Sequence, residues 1–262
     1  MSNSKKSYWI TGASSGIGRA VAIQLSFKNV CMILSGRNEV LLNEVAKVCV
    51  ENGSSIMVLP FDLGDQNSID QAVKIILRKN VSIYALYNFA GISQRSLVRE
   101  TPLSIDRKIM EINFFGTVAL TKLILPNMIQ NGGGRIGVTT SIVGKFGFPY
   151  RSAYAASKHA LHGFFESLRV ENEHRGIKVS IIIPGRIQTN ISLNALNKEG
   201  RAHNYMDKGQ AKGMSAEKAA IRILKNLERN KKEILVGNRE LLMVYIKRFI
   251  PSLYYFLSKR VK

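Results

Sequence analysis

Tyr8-Trp9-Ile10-Thr11-Gly12-Ala13-Ser14-Ser15-Gly16-Ile17-Gly18 is the stretch that decides the architecture of this chain. Tyr8, Trp9 and Ile10 read as a short buried strand, the glycines as a turn, and Ala20, Val21, Ile23, Gln24 and Leu25 continue with helical composition. A glycine-rich turn between a strand and a helix brings backbone close to a pyrophosphate, and the helix adds free N–H groups and the positive end of its dipole. A Cβ would block that approach. The turn therefore predicts a nucleotide site at residues 11–18, although its G-x-x-x-G-x-G spacing also suits a purely structural turn.

Outward from this turn, apolar runs at 30–34, 55–59, 83–87, 135–138, 178–183 and 233–236 read as further strands, with amphipathic helical stretches between them. The alternation predicts an α/β Rossmann-type domain, a doubly wound and mostly parallel sheet covered by helices on both faces. Ligands on such sheets bind beyond the carboxyl ends of the strands. The residues expected there are Gly12, Arg37, Asp62, Asn88, Ser141 and Pro184-Gly185.

With 262 residues, 45% of them apolar and 21% charged, the chain has material for one large core. Cys31 and Cys49 fall in a strand and a helix without metal-ligand spacing, so they read as small buried hydrophobes, and no metal site is expected. No apolar leader precedes the turn, and a cytoplasmic location is expected.

Chemistry enters with Tyr154 and Lys158, one helical turn apart, and Ser141 upstream. Reducing a ketone builds negative charge on its oxygen, so a proton donor must meet that oxygen as hydride arrives at carbon. Tyr154 is the natural donor. Its ordinary pKa is near 10, and a lysine ammonium one turn away is expected to lower it. Lys158 can also hold the nicotinamide ribose, and Ser141 can bond the substrate oxygen.

Six ordered motifs carry a resemblance. T-G-A-S-S-G-I-G at 11–18, Asp62-Leu63, N-F-A-G at 88–91, Asn113, Ser141 with Y-A-A-S-K at 154–158, and P-G-R-I-Q-T at 184–189 are similar to the short-chain dehydrogenase/reductase pattern over residues 6–237. The resemblance implies a catalytic tetrad of Asn113, Ser141, Tyr154 and Lys158, with Asn113 holding a water that relays protons to Lys158. It implies NAD(P) contacts at Gly12, Ser14, Ser15, Gly16, Ile17, Gly18, Arg37, Asp62, Leu63, Asn88, Ala90, Gly91, Tyr154, Lys158, Pro184, Gly185, Ile187 and Thr189. Two departures stand out: Phe89 replaces the usual second asparagine of N-N-A-G, and Thr140 stands where many members have serine. Neither removes a catalytic group.

After the second strand the chain reads Gly36-Arg37-Asn38, with no carboxylate for a ribose diol. An arginine there accommodates a 2′-phosphate, so NADP is the expected cofactor. Arg19 could add charge or simply be solvated. Asp62 is expected to accept from the adenine amino group, with helix capping as the structural alternative.

Ile92, Val143, Phe146, Phe148, Tyr150, Ile187 and Ile191 form an apolar set suited to a lipophilic carbonyl or alcohol substrate, although several could pack in the core. Residues 190–214 read as a polar, basic lid. Wider matches at 91–96, 110–117 and 157–164 resemble the branch containing hydroxysteroid dehydrogenase-like and acyl/alkyl-dihydroxyacetone-phosphate reductase-like enzymes. A keto-lipid or steroid-like substrate is the expectation this implies. A soluble 3-oxoacyl-thioester reductase and a nonenzymatic NADP-binding interaction protein stay open as alternatives.

The formal charge is +20, and residues 205–262 hold 14 Lys and Arg against 5 Asp and Glu. No nucleic-acid motif accompanies this charge, so nucleic acid is not an expected partner. The domain is expected to occupy 1–237 and an amphipathic basic tail 238–262. Residues 241–262 carry five basic and no acidic residues among large apolar ones, interrupted by Lys247-Arg248 and Pro251. That falls short of the roughly 20 apolar residues needed to span a bilayer. It suits either peripheral membrane contact or packing on protein. The resemblance also implies a homodimer or homotetramer through helices at 104–130 and 152–175.

Overall fold

A computed structural model describes residues 7–259; Arg260 and Lys262, the last basic residues of the expected tail, lie outside the described residues. Strands β1 (Ser7–Thr11), β2 (Cys31–Ser35), β3 (Ser55–Val58), β4 (Ile83–Asn88), β5 (Gly134–Thr139), β6 (Ile177–Pro184) and β9 (Glu233–Val236) form one seven-stranded sheet in the order β3-β2-β1-β4-β5-β6-β9. Every pairing in it is parallel. The short strands β7 (Ile187–Gln188) and β8 (Met214–Ser215) pair separately and close the base of the 190–214 segment.

The helices divide between the two faces, as right-handed crossovers between parallel strands require. Helices α1 (Gly16–Ser26), α2 (Glu39–Glu51) and α8 (Ala216–Glu228) cover one core, built on Ile10, Leu34 and Ile182. Helices α3 (Gln66–Arg78), α5 (Gly116–Gln130) and α6 (Ser152–Asn172) cover the other, built on Trp9, Leu86 and Phe165, and α4 (Leu103–Met110) packs Ile105 and Ile109 against Ala153 of α6. Strands buried on both faces explain the near-continuous apolar runs in the sequence. Trp9 satisfies its indole N–H by donating to Ser35 Oγ at 2.9 Å on the neighbouring strand. Cys31 and Cys49 are free thiols in β2 and α2.

The long helix expected over 104–130 runs from Leu103 to Gln130 and carries one turn of π-helix, Glu111–Phe115, between α4 and α5. Sequence periodicity does not register a single inserted residue, yet such π-turns recur at functional sites.

The segment after β9 turns back onto the domain. After the four-residue helix α7 (Lys208–Ala211) and α8, helices α9 (Leu242–Phe249) and α10 (Pro251–Ser258) pack beside α6. Tyr254 is buried against Phe146, with ring centres 5.1 Å apart, and its hydroxyl donates to the Gly147 carbonyl. Met243, Val244 and Ile246 join the same cluster, which includes Tyr154.

Helix α6 also buries His162, whose ring nitrogens both lack a hydrogen-bond partner. Burial pushes its pKa down to about 4 from 6.5. Between those values the unfolded chain binds the proton and the folded chain does not, so stability falls as pH drops from about 6.5 to about 4. Urea midpoints across that window are expected to fall less in His162→Leu than in the parent.

Candidate active site

Thr11, Ser35, Asn88, Thr139 and Pro184 end their strands at one edge of the sheet, and a cavity of about 940 Å³ opens beyond that edge. Its floor is the glycine-rich turn. Gly12 has φ +66°, and a Cβ there would sit 2.7 Å from the Ala90 nitrogen. A Cβ on Gly18 would lie 2.3 Å from the Gly12 carbonyl oxygen. No side chain caps α1 at Ser15, so its first N–H groups are left for a ligand. An uncapped helix end, a backbone cradle that excludes Cβ atoms and an arginine at the rim fit a dinucleotide.

Of the predicted cofactor residues, Gly12, Ser14, Ser15, Gly16, Ile17, Gly18, Arg37, Asp62, Leu63, Ala90, Gly91, Pro184, Gly185, Ile187 and Thr189 all line this cavity with Tyr154 and Lys158. Asn88 does not. It is buried beneath the cavity at the end of β4, where Nδ2 faces Thr121 Oγ1 at 3.4 Å and Oδ1 has no partner. Arg37 is exposed at the rim without an ion pair among the described residues, whereas Arg19 is exposed and outside the lining. Asp62 caps no helix; its Oδ1 accepts from the Gly64 N–H, and Asp65 caps α3 instead.

Ser141 follows β5, and Tyr154 and Lys158 lie in the first two turns of α6. Burial raises the pKa of Tyr154, and the side-chain hydrogen bond with Ser141 and the charges of Arg95 and Arg151 oppose that rise. The phenol is thus held protonated at neutral pH, as a proton donor requires. The expected lowering by Lys158 is not what acts here: Lys158 Nζ donates to the Thr139 carbonyl at 2.9 Å and lies 5.7 Å from the tyrosine ring centre. Burial brings Lys158 itself down to about 8.

Asn113 sits behind the cavity wall, with Oδ1 and Lys158 Nζ both beside Gly91. It is fully buried in the π-turn and does not line the cavity. Its amide is committed: Oδ1 accepts from the Ile92 N–H at 2.8 Å, while Nδ2 donates to the Ile92 carbonyl at 2.9 Å and to Ser157 Oγ at 3.0 Å. The side chain braces the loop after β4 against α6, with both Nδ2 hydrogens used and one lone pair of Oδ1 still open.

The two departures from the family pattern are absorbed by packing. Phe89 stands edge-on to Tyr87 with ring centres 6.5 Å apart, and Thr140 Oγ1 donates to the Ile182 carbonyl at 3.0 Å.

Residues 6–200 match the short chain dehydrogenase family. The chain belongs to that family. It is 40% identical to the Dehydrogenase/reductase SDR family protein 7-like of Drosophila melanogaster, over 96% of this chain and 78% of the fly protein. It is 39% identical to Dehydrogenase/reductase SDR family member 7B of Mus musculus, over 94% of this chain and 78% of the mouse protein. In structure it is similar to a short-chain dehydrogenase from Sphingobium yanoikuyae in complex with NADPH, with TM-score 0.79 and 23% identity over 98% and 96% of the two chains. It is also similar to a short chain dehydrogenase/reductase from Burkholderia phymatum in complex with NAD, with TM-score 0.84 and 21% identity over 97% and 96%. At those identities the structural likeness speaks to the fold. As a family member the protein is an oxidoreductase.

Three charged side chains of the cavity wall were not singled out in the sequence: Arg95, Arg151, and Asp207 within the expected 190–214 lid. They are scattered over 112 residues, and no local spacing signals that they meet. Glu240 was missed as well; its Oε1 accepts from the Arg186 and Asn238 N–H groups and ties the Pro184-Gly185 turn to the C-terminal segment.

Proposed function

We propose that this protein is an NADP(H)-dependent oxidoreductase that interconverts a carbonyl and a secondary alcohol on a lipophilic substrate, with Tyr154 as acid and base. The observation that carries the reading is the meeting of Tyr154, Ser141 and Lys158 in one cavity that joins the glycine-rich turn to an apolar pocket. A bound nicotinamide supplies or accepts the hydride. Tyr154 gives its proton to the carbonyl oxygen during reduction and recovers it during oxidation. Ser141 shares the charge on that oxygen through its hydroxyl. Lys158, one turn along α6, holds positive charge behind the phenol and positions the ribose. Asn113 keeps the loop at Ile92 in place, and its Oδ1 can still accept a second hydrogen bond.

Lipophilicity rests on Ile92, Val143, Phe146, Phe148, Tyr150, Ile187 and Ile191, all of which line the cavity. The preference for NADP rests on Arg37 at the rim, with no acidic residue at 35–38. Arg37→Ala is expected to weaken NADPH binding on the order of 10-fold to 100-fold by removing a charge-assisted pair, and to leave NADH binding nearly unchanged. Fluorescence titration of both cofactors checks this, and equal losses for the two would refute it. The reaction itself is tested by NADPH consumption over keto-lipids, steroids and oxoacyl thioesters. Absence of turnover across the panel despite tight NADPH binding would sink it.

The C-terminal helices support peripheral membrane contact alongside their packing on the domain. Phe249, Ile250, Tyr255 and Phe256 stay exposed beside Lys247, Arg248 and Lys259, with no acidic residue from 241 to 259. Co-sedimentation with vesicles is expected to rise with the fraction of anionic lipid and to drop for Phe249→Ser/Phe256→Ser. Retention by neutral and anionic vesicles alike would count against the charge component. Exposed Leu103, Phe115, Leu123 and Val170 on the 103–130 and 152–172 helices support a homodimer or homotetramer. Sedimentation equilibrium decides it, a monomer at micromolar concentration being the contrary result.

A further inference from the structure

Three charged side chains that sequence spacing does not connect meet in the wall of the cavity. Arg95 follows β4, Arg151 immediately precedes α6, and Asp207 stands at the start of α7 in the 190–214 segment. Asp207 Oδ2 accepts from Arg95 Nη2 at 2.6 Å and from Arg151 Nη2 at 2.8 Å. Arg95 is nearly consumed by this and by its donation from Nη1 to Ser93 Oγ and the Gln94 carbonyl. Arg151 is not. Of the five N–H donors of a guanidinium, it spends one on Asp207 and one on the Pro149 carbonyl.

Charge balance points the same way. The side chains of Arg95 and Arg151 are only 8% and 19% exposed, and among the described residues Asp207 is the single carboxylate paired with either. Two largely buried guanidiniums facing one carboxylate leave a positive charge uncompensated, which is costly away from water. Burial and the repulsion of Arg95 bring Arg151 down to about 10, so it stays charged at neutral pH. Its guanidinium lies 5.2 Å from the centre of the Phe148 ring, where the apolar lining begins. Both arginine charges act on the Tyr154 phenol, so the spare donors lie within electrostatic reach of the reacting oxygen.

We propose that Arg151, held in place by Asp207 and Arg95, is an anion-recognising subsite of the substrate pocket, so that the substrate is a carbonyl compound bearing a carboxylate or phosphate close to the reacting carbon and an apolar chain beyond it. This rests on the oxidoreductase reading of the same cavity. A bidentate contact from the open edge of Arg151 fixes the anionic end beside Tyr154, while Phe148 and its apolar neighbours take the chain. Arg95 is a positioning residue: it holds Asp207, and through it Arg151 and the 190–214 segment.

The test compares matched pairs with the full-length protein and NADPH: a medium-chain 3-oxo acid against its methyl ester, and a long-chain keto-alcohol against its phosphate monoester. The charged member of at least one pair is expected to show kcat/KM on the order of 10-fold to 100-fold higher, mostly through KM. Whichever pair shows the larger ratio identifies carboxylate or phosphate. Arg151→Met is expected to collapse the ratio, and Arg151→Lys to retain part of it. Equal turnover of charged and neutral partners by the parent protein, or a preference that survives Arg151→Met, overturns the subsite, while Tyr154-dependent turnover of the neutral partners would leave the oxidoreductase reading standing. Thermal shift provides the converse separation. If no carbonyl is reduced, a rise in Tm with the charged partner that Arg151→Met abolishes upholds the subsite and removes the reaction; equal shifts for charged and neutral partners remove both.

Discussion

Tyr154→Phe is expected to lower kcat for carbonyl reduction by about 10³-fold, within the 10²–10⁴-fold range of a positioned acid, and to leave KM and cofactor affinity close to the parent values. The substitution deletes one oxygen. The ring keeps its place in the cluster with Val143, Phe146 and Tyr254, so packing is preserved and the loss reads chemistry. The proton donor is the specific quantity removed, because burial holds this phenol in its protonated form and its neighbour Ser141 carries an alcohol hydroxyl, a far weaker acid than a phenol. Steady-state NADPH consumption measures the effect. A kcat within a few-fold of the parent would mean that the proton comes from elsewhere. The pH profile of the parent gives a second readout. Lys158, at about 8, is cationic below that value and neutral above it, so reduction is expected to slow as pH rises through about 8.

Gly18→Ala is expected to damage both binding and folding. The added Cβ would meet the Gly12 carbonyl oxygen at 2.3 Å and the Gly12 carbonyl carbon at 2.8 Å, and neither is the movable end of a side chain. Relief requires α1 to shift away from β1, which opens the cradle and strains the core under Val21 and Leu25. Overpacking of this kind costs about 1–3 kcal/mol, and displacement of the helix N-terminus should weaken NADPH binding at least about 10-fold. Urea denaturation and fluorescence titration report the two effects separately. Parent-like values in both would show that the turn tolerates a methyl group and does not approach its ligand closely.

The fold was legible because its signals are local. A strand, a glycine-rich turn and a helix within residues 8–25 announce a nucleotide-binding α/β unit. The later apolar runs then fall within one or two residues of the observed strands, since strands covered on both faces carry little polar interruption. Most of the predicted cofactor residues were legible for a related reason: they sit just after strands, and a parallel sheet delivers all such positions to one edge. Asn88 and Asn113 mark the limit. Both carry the expected residue type at the expected place in the chain, yet Asn88 is buried against Thr121 and the π-turn places Asn113 against Ile92 and Ser157, behind the cavity wall.

From sequence alone come the doubly wound architecture, the Tyr154-Lys158 pair on one helix face, the glycine-rich cradle and the absence of a carboxylate after β2, because each depends on residues within a few positions of one another. Tertiary structure alone decided three things. It folded the C-terminal helices onto the cluster that holds Tyr154. It turned the Lys158 ammonium toward Thr139. It also brought Arg95, Arg151 and Asp207 into a single contact in the pocket wall. Those outcomes depend on which loops cross the carboxyl edge of the sheet and how much water they exclude there, and neither quantity is written in the spacing of residues along the chain.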